Sequence, residues 1–173
     1  MRGAGLALDA GTVGDYFLRK MTSSRCGCMN KEALSDPAGK EPEPIYDIKI
    51  DSTRRRVTTT WGSIVTDAAL MDYQKTVWSD PARHGFDELI DFRTLEQIEV
   101  TTEGLEAVAY LAAGMDASVG PGRFAIVVGD TLSYGLSRMY EAFRGIDEKT
   151  SRQLMIFKRL EDALEWLDKP RAA

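Results

Sequence analysis

Two adjacent threonines precede a predicted helix in the segment LEQIEVTTEGLEAV. Thr101 and Thr102 are followed by Glu103 and Gly104. A threonine at a helix start either caps the free backbone N–H groups or accepts a phosphate, whose charge the helix dipole stabilises. Capping is the more common role, so we expect a cap here. Phosphorylation, or contact between this loop and a protein partner, is the alternative.

Polar residues also follow two of the predicted strands. Arg93 comes after LIDF, and Asp130 and Ser133 come after AIVVG. Ligands of open α/β sheets bind beyond the carboxyl ends of the strands, so these residues form a candidate ligand or anion site. Arg138 is expected to point back towards the sheet, either as a buried arginine paired with Asp91 or as an anion ligand. The expected aromatic walls of a cavity there are Trp78, Tyr134 and Tyr140.

The residues that usually carry catalysis are scarce. The chain has one histidine, His84, and two cysteines, Cys26 and Cys28. A zinc site needs four ligands, and most enzymes combine a nucleophile with a base or place two carboxylates in a cleft. The segment GMDASVGPG lacks the lysine of a phosphate-binding loop. We therefore expect no metal, no cofactor and no catalytic residue, and we interpret His84 as an ordinary loop residue.

Charge and hydropathy exclude two classes of protein. The net charge is −5 and the isoelectric point is near 5.0, whereas nucleic-acid-binding proteins need a cationic surface. The sequence has no apolar run of the roughly 18 residues needed to span a membrane, and no signal peptide is recognisable. These patterns predict a cytoplasmic protein that has no membrane span and does not bind nucleic acid.

The first 44 residues differ from the rest of the chain. They are rich in glycine, alanine and serine, continue through SDPAGKEPEP, and show no regular apolar period. This composition predicts a disordered leader. Met29 is an alternative start of translation, and a start there would exclude the cysteine pair from the protein. We assign one domain to residues 45–169 and a short tail to residues 170–173.

Beyond residue 45 the hydrophobic pattern alternates between the period of a strand and that of a helix. YDIKID and RRVTTTW form a hairpin, whose arginines Arg54–Arg56 are expected at a solvated edge. Three more strands are predicted in ELIDFR, RFAIVVGD and SRQLMIFKR, with a helix before and after each one. This order predicts an α/β fold with a mixed, mostly parallel five-stranded sheet and about four helices. The third helix is expected to bury a stripe of Leu132, Leu136, Met139, Tyr140 and Phe143.

Several segments resemble the SpoIIAA-like proteins of the STAS superfamily, which are small bacterial α/β domains. The most similar motifs are YGLSRMYE, Tyr134–Glu141, and ALEWL, Ala163–Leu167. The anti-sigma factor antagonists of this superfamily are similar in a strand like LIDF that leads into a loop and a helix. Asp91 matches their strand aspartate and Gly104 their helix glycine. Glu103 stands where those proteins carry a phosphorylated serine.

The resemblance implies a STAS-like fold and a non-enzymatic regulatory function in bacteria. The implied activity is binding of a protein partner through Thr101, Thr102 and Glu103. The alternative is a carrier or sensor of a small apolar or anionic ligand, held at the carboxyl ends of the strands, since related folds include lipid carriers. An enzyme is the weakest of the three hypotheses. Homodimerisation through the hairpin edge or an exposed helix is compatible with the sequence.

Overall fold

A computed structural model of the protein describes residues 45–146 and 150–170. The predicted leader and its cysteine pair lie outside the described residues. The strands are β1 (Tyr46–Asp51), β2 (Arg56–Trp61), β3 (Ile64–Thr66), β4 (Asp87–Phe92), β5 (Gln97–Glu99), β6 (Arg123–Val128) and β7 (Gln153–Phe157). The helices are α1 (Asp67–Trp78), α2 (Thr102–Val119), α3 (Thr131–Ile146) and α4 (Leu160–Asp168), with a short 3-10 helix at Pro81–Arg83.

Five of the strands form one sheet in the order β1, β2, β4, β6, β7. β1 and β2 are the antiparallel arms of the predicted hairpin, and every other neighbouring pair is parallel. The predicted mixed, mostly parallel five-stranded sheet with four helices is therefore confirmed. β4 lies in the middle of the sheet, so the residues that follow it emerge at the centre of the carboxyl edge.

Helices cover both faces of this sheet. Alternate residues of a strand point to opposite faces. Ile90 and Ile126 pack with side chains of α1, α2 and α3, whereas Leu89 and Val127 pack against α4. All six residues of β6 are buried, so this strand is covered on both sides. The larger core lies on the three-helix face.

A second, two-stranded sheet is absent from the sequence prediction. β3 and β5 pair in parallel, with Val65 opposite Ile98. The backbone N–H groups of Glu96 and Gln97 donate to the carbonyl of Ser63 at 2.8 and 2.9 Å. β3 leads directly into α1, and β5 ends shortly before α2. This small sheet therefore fixes the starts of two helices relative to each other.

Two details of the predicted packing are wrong. Arg56 is only 6% exposed, and its guanidinium donates to Asp168 at 2.6 Å, because β2 lies inside the sheet; the other two hairpin arginines are exposed as predicted. Leu132 is 61% exposed, because α3 turns Ser133 and Ser137 towards the sheet instead. The other members of the predicted stripe on α3 are buried or half-buried.

Candidate functional site

A carboxylate from another helix holds the start of α2. Thr101 is the N-cap, and its hydroxyl accepts a hydrogen bond from the N–H of Gly104 at 2.9 Å. The same hydroxyl donates to Asp67 at 2.7 Å, and the N–H of Thr101 donates to Asp67 at 3.0 Å. The predicted threonine cap is confirmed. Sequence reasoning missed Asp67 because it is 34 residues away and is positioned only by the β3–β5 pair.

The absence of a side chain at Gly104 leaves the space in which the Asp67 carboxylate lies. A Cβ atom at this position would lie 2.0 Å from Cγ of Asp67, so any larger residue would displace the carboxylate. Thr101, Thr102 and Glu103 are exposed. Phosphorylation stays a prediction for both threonines, but the two positions differ, because a phosphate on Thr101 would lie against the carboxylate of Asp67.

At the end of β4, Arg93 is engaged with Asp91. Its N–H, Nε and Nη2 groups donate to the Asp91 carboxylate at 2.8–3.2 Å, and this bonding raises the pKa of Arg93 above its ordinary value. The backbone of Arg93 also packs closely against Gly129, where a Cβ atom would lie 3.0 Å from the Arg93 carbonyl oxygen. The predicted residues Arg93 and Asp130 are therefore near each other along the sheet edge.

At the end of β6, Asp130 and Ser133 bond to each other at the start of α3. The Asp130 carboxylate accepts from the backbone N–H groups of Leu132 and Ser133 at 2.7 and 2.9 Å, and from the Ser133 hydroxyl at 2.9 Å. The bond from the Ser133 backbone is the main cause that lowers the pKa of Asp130. Both side chains are engaged in holding the start of α3.

Arg138 does not point back towards the sheet. It is exposed and forms an ion pair with Glu141 on the same helix. The predicted pairing with Asp91 is wrong, because Asp91 shares the α4 face of β4 with Leu89, whereas Arg138 belongs to a helix on the opposite face. The interpretation of Arg138 as a buried arginine is wrong as well.

A pocket of about 200 Å³ lies where β6 and β7 end. It has a carboxylate from Asp130 and an ammonium group from Lys158, whose Nζ lies 5.7 Å from the centre of the Tyr134 ring. Sequence reasoning missed Lys158, although its place directly after a strand is the signal that singled out Arg93. The full lining is Val128, Gly129, Asp130, Thr131, Tyr134 and Lys158.

An apolar cavity of about 70 Å³ lies between the sheet and the helices α1, α2 and α3. Ile90, Phe92 and Ile126 form its floor on the sheet, and Ile98 and Val100 come from the segment that joins β4 to α2. The other lining residues are Val65, Leu70, Tyr73, Gln74, Leu95, Leu105, Val108, Phe124, Ser133, Leu136, Ser137 and Tyr140. Tyr134 and Tyr140 therefore each line a pocket, as predicted, but not the same one.

Trp78, the third predicted wall, lies instead in a buried polar network. Its indole N–H and the hydroxyl of Tyr73 donate to Glu88 at 3.2 and 2.7 Å. Arg152 donates to the same carboxylate at 2.8 Å and stacks over the Trp78 ring at 4.2 Å. Burial, followed by the charge of Glu88, raises the pKa of Tyr73 well above its ordinary value. With its charge compensated, this network is suited to holding the fold together.

No helix within residues 45–146 and 150–170 is long and apolar enough to cross a membrane. In the same ranges, no group of three or more histidine, cysteine, aspartate or glutamate side chains is arranged to hold a metal ion.

No protein-family model, curated protein or solved structure matches the sequence or the fold of this chain.

Proposed function

We propose that the chain is a non-enzymatic regulatory module of the STAS, SpoIIAA-like type, and that it binds a protein partner through a surface we call the α2 surface. This surface consists of the exposed residues Glu96, Glu99 and Glu103 of the loop and helix start, together with the outward side of α2 around Tyr110.

The observation that carries this proposal is the fixed shape of the α2 surface. The β3–β5 pair and the bonds from Thr101 to Asp67 hold the loop in one conformation, so little ordering cost remains when a partner binds. Tyr110 is 47% exposed, and small exposed residues surround it on the helix, at Ala107, Gly114 and Ala117. A large aromatic side chain on a flat helical face is typical of an interface anchor. The neighbouring glutamates favour a basic partner surface.

Site-specific crosslinking in the native host tests this proposal. A photoreactive amino acid at position 107 is expected to give one defined protein adduct. Glu103→Lys or Tyr110→Ser should lower the yield of this adduct. The matched control places the same probe at Glu165, an exposed residue of α4. Identical adducts from both positions, or adducts that neither substitution changes, would contradict partner binding through the α2 surface.

A second candidate function is the carrier or sensor of a small ligand, and the apolar cavity beneath the β4–α2 segment favours it. Such a cavity is the usual form of a small-molecule site. Mass spectrometry of the protein purified from its native host, recorded under native and then denaturing conditions, is expected to show extra mass that denaturation removes. An identical bare mass in both spectra would rule out a tightly held ligand. A phosphoryl increment that survives denaturation and is mapped to Thr101 or Thr102 would instead support regulation at these threonines.

A further inference from the structure

Gln74 is a buried polar side chain that the fold leaves nearly without partners. It lies on α1, is 8% exposed and lines the apolar cavity. Within residues 45–146 and 150–170, its carboxamide forms one hydrogen bond, to the thioether sulfur of Met115 at 3.9 Å. A thioether is a weak acceptor, and a carboxamide has two donors and an acceptor oxygen to satisfy. Most buried polar side chains find better partners, so the carboxamide is left to bond with solvent or with a guest.

The other polar groups of the cavity wall are already engaged. The Ser133 hydroxyl donates to Asp130 at 2.9 Å, and the Ser137 hydroxyl donates to the carbonyl of Ser133 at 2.8 Å. The Tyr73 hydroxyl donates to Glu88, and the Tyr140 hydroxyl accepts a bond from Arg144. Gln74 is therefore the wall residue whose hydrogen-bonding capacity is most available to a guest.

The charge of the wall restricts what that guest can be. The lining residues are apolar apart from glutamine, serine and tyrosine, and none of them is charged. An ion placed there would lose its hydration without gaining an opposite charge, which is strongly unfavourable. The chemistry of the wall therefore selects an uncharged molecule.

We propose that the cavity binds a small uncharged molecule with an apolar body and one hydrogen-bonding group, such as a short alcohol, and that this group bonds to the carboxamide of Gln74. The proposal rests on the second candidate function and names its ligand class. Alcohols suit the site because a hydroxyl can both donate to the carboxamide oxygen and accept from its N–H group.

The size of the cavity limits the length of the ligand. A volume of about 70 Å³ is roughly half that of an apolar cavity known to bind benzene, about 150 Å³. Guests with fewer heavy atoms than benzene are therefore expected in preference to long chains. Entry is expected beside Leu95, Ile98 and Leu136, wall residues that are only half-buried.

The test compares two probes with equal numbers of heavy atoms, 1-butanol and n-pentane, by NMR titration of the methyl groups of Val100, Leu105 and Val108. Both probes are expected to shift these signals in a saturable way. Gln74→Met keeps the side-chain size and removes the hydrogen bond. This substitution is expected to lower the affinity for 1-butanol relative to that for n-pentane by about 3- to 10-fold. Gln74→Leu provides a second variant if Gln74→Met does not fold.

Ser137→Ala is the matched control, because its hydroxyl is already bonded within α3 and its removal should leave the ratio of the two affinities unchanged. Saturable binding of both probes with an unchanged ratio in Gln74→Met would overturn the role of Gln74 but leave the carrier function standing. Absence of saturable shifts from either probe in the wild type would overturn the cavity as a ligand site, and with it both the inference and a carrier function located there.

Discussion

Asp67 occupies the place at the start of α2 where an anion is most stabilised. Its carboxylate bonds to both the N–H and the hydroxyl of Thr101, while it also lies in the first turn of its own helix, α1. A negative charge is favourable at the positive end of a helix dipole, so one carboxylate serves two helices. A phosphate added to Thr101 would have to displace it, because two anions in contact repel.

The two threonines should differ in their contribution to stability. Thr101→Ala removes the cap and one partner of Asp67, so we expect a loss of about 1–2 kcal/mol in the free energy of unfolding. Thr102→Ala alters an exposed residue and should change it by less than about 0.5 kcal/mol. Urea denaturation measures both values. Equal losses would show that the cap does not act as described, whereas Thr101→Ser should restore most of the stability.

The effect of Gly104→Ala on the free energy of unfolding should change sign when Asp67 is removed. Gly104→Ala places a methyl group where the Asp67 carboxylate lies, so we expect a loss of about 1–3 kcal/mol. In an Asp67→Ala background the obstacle is gone, and alanine in a helix is better than glycine by about 0.5–1 kcal/mol. The same substitution should then stabilise the protein. A double-mutant cycle by thermal or urea unfolding measures this coupling, and additive effects would argue against the close approach.

At the residue scale, the sequence predicts what is local. The cap at Thr101 can be predicted because its hydroxyl accepts from the N–H of Gly104, only three residues further on. This pattern is contained in one helical turn. Asp67 cannot be found in this way, since its position depends on the pairing of two three-residue strands. The direction of Arg138 cannot be found from the sequence either, because it depends on how far α3 is rotated against the sheet.

Two buried arginines hold α4 at its C-terminal end. The guanidinium of Arg123 donates to the carbonyls of Trp166 and Pro170 at 2.9 and 3.0 Å and also bonds to Leu167 and Lys169. The last carbonyls of a helix have no partner within the helix, and a cation there also suits the dipole. Arg56 adds a bond to Asp168 at 2.6 Å. As the only described helix on its face of the sheet, α4 depends on these anchors.

Removing one anchor should loosen α4 first. Arg123→Met leaves the carbonyl groups at the end of α4 without their donor, and we expect a loss of about 1–3 kcal/mol. Hydrogen–deuterium exchange should accelerate in α4 more than in α2. Arg159→Met is the matched control, because Arg159 is exposed with only a weak pair to Glu161, and it should change exchange little. Uniform acceleration of exchange throughout the chain would mean that Arg123 does not act locally on α4.

At the element scale, the order along the chain of the five sheet strands and four helices follows from hydrophobic periodicity. Each of these segments is long enough to show a period of two or of 3.6 residues. β3 and β5 contain three residues each, too few for a period to be recognised. A hairpin on its own predicts two exposed arms and therefore a solvated Arg56, whereas pairing of β2 with β4 is a property of the whole sheet.

Across the whole molecule, buried ion pairs join elements that are distant in sequence. Arg152 bonds to Glu88 at the start of β4, and its N–H donates to Asp116 near the end of α2 at 3.4 Å. Arg144 pairs with Asp116 at 2.5 Å. Burial alone would lower the pKa of Arg144, but Tyr140 and Asp116 outweigh it and raise that pKa. These pairs lie at the amino ends of the strands, away from the loop before α2.

Breaking the Glu88–Arg152 pair should destabilise the whole fold. Glu88→Gln or Arg152→Met leaves an uncompensated buried charge, and we expect a loss of about 3–5 kcal/mol for either change. The double variant Glu88→Gln/Arg152→Met should cost less than the sum of the two, because it leaves no charge behind. Urea unfolding followed by tryptophan fluorescence measures all three. Strictly additive losses would contradict direct coupling between the two residues.

The apolar cavity has a mechanical consequence. Void volume makes a folded protein compressible, and pressure favours states that eliminate it. Here the void lies along Ile90, Phe92 and Ile126, whereas the amino ends of the strands are filled by paired charges. Under hydrostatic pressure the two ends of the same sheet should therefore respond unequally. The carboxyl end would compress or admit water first, while the amino end would keep its native dimensions.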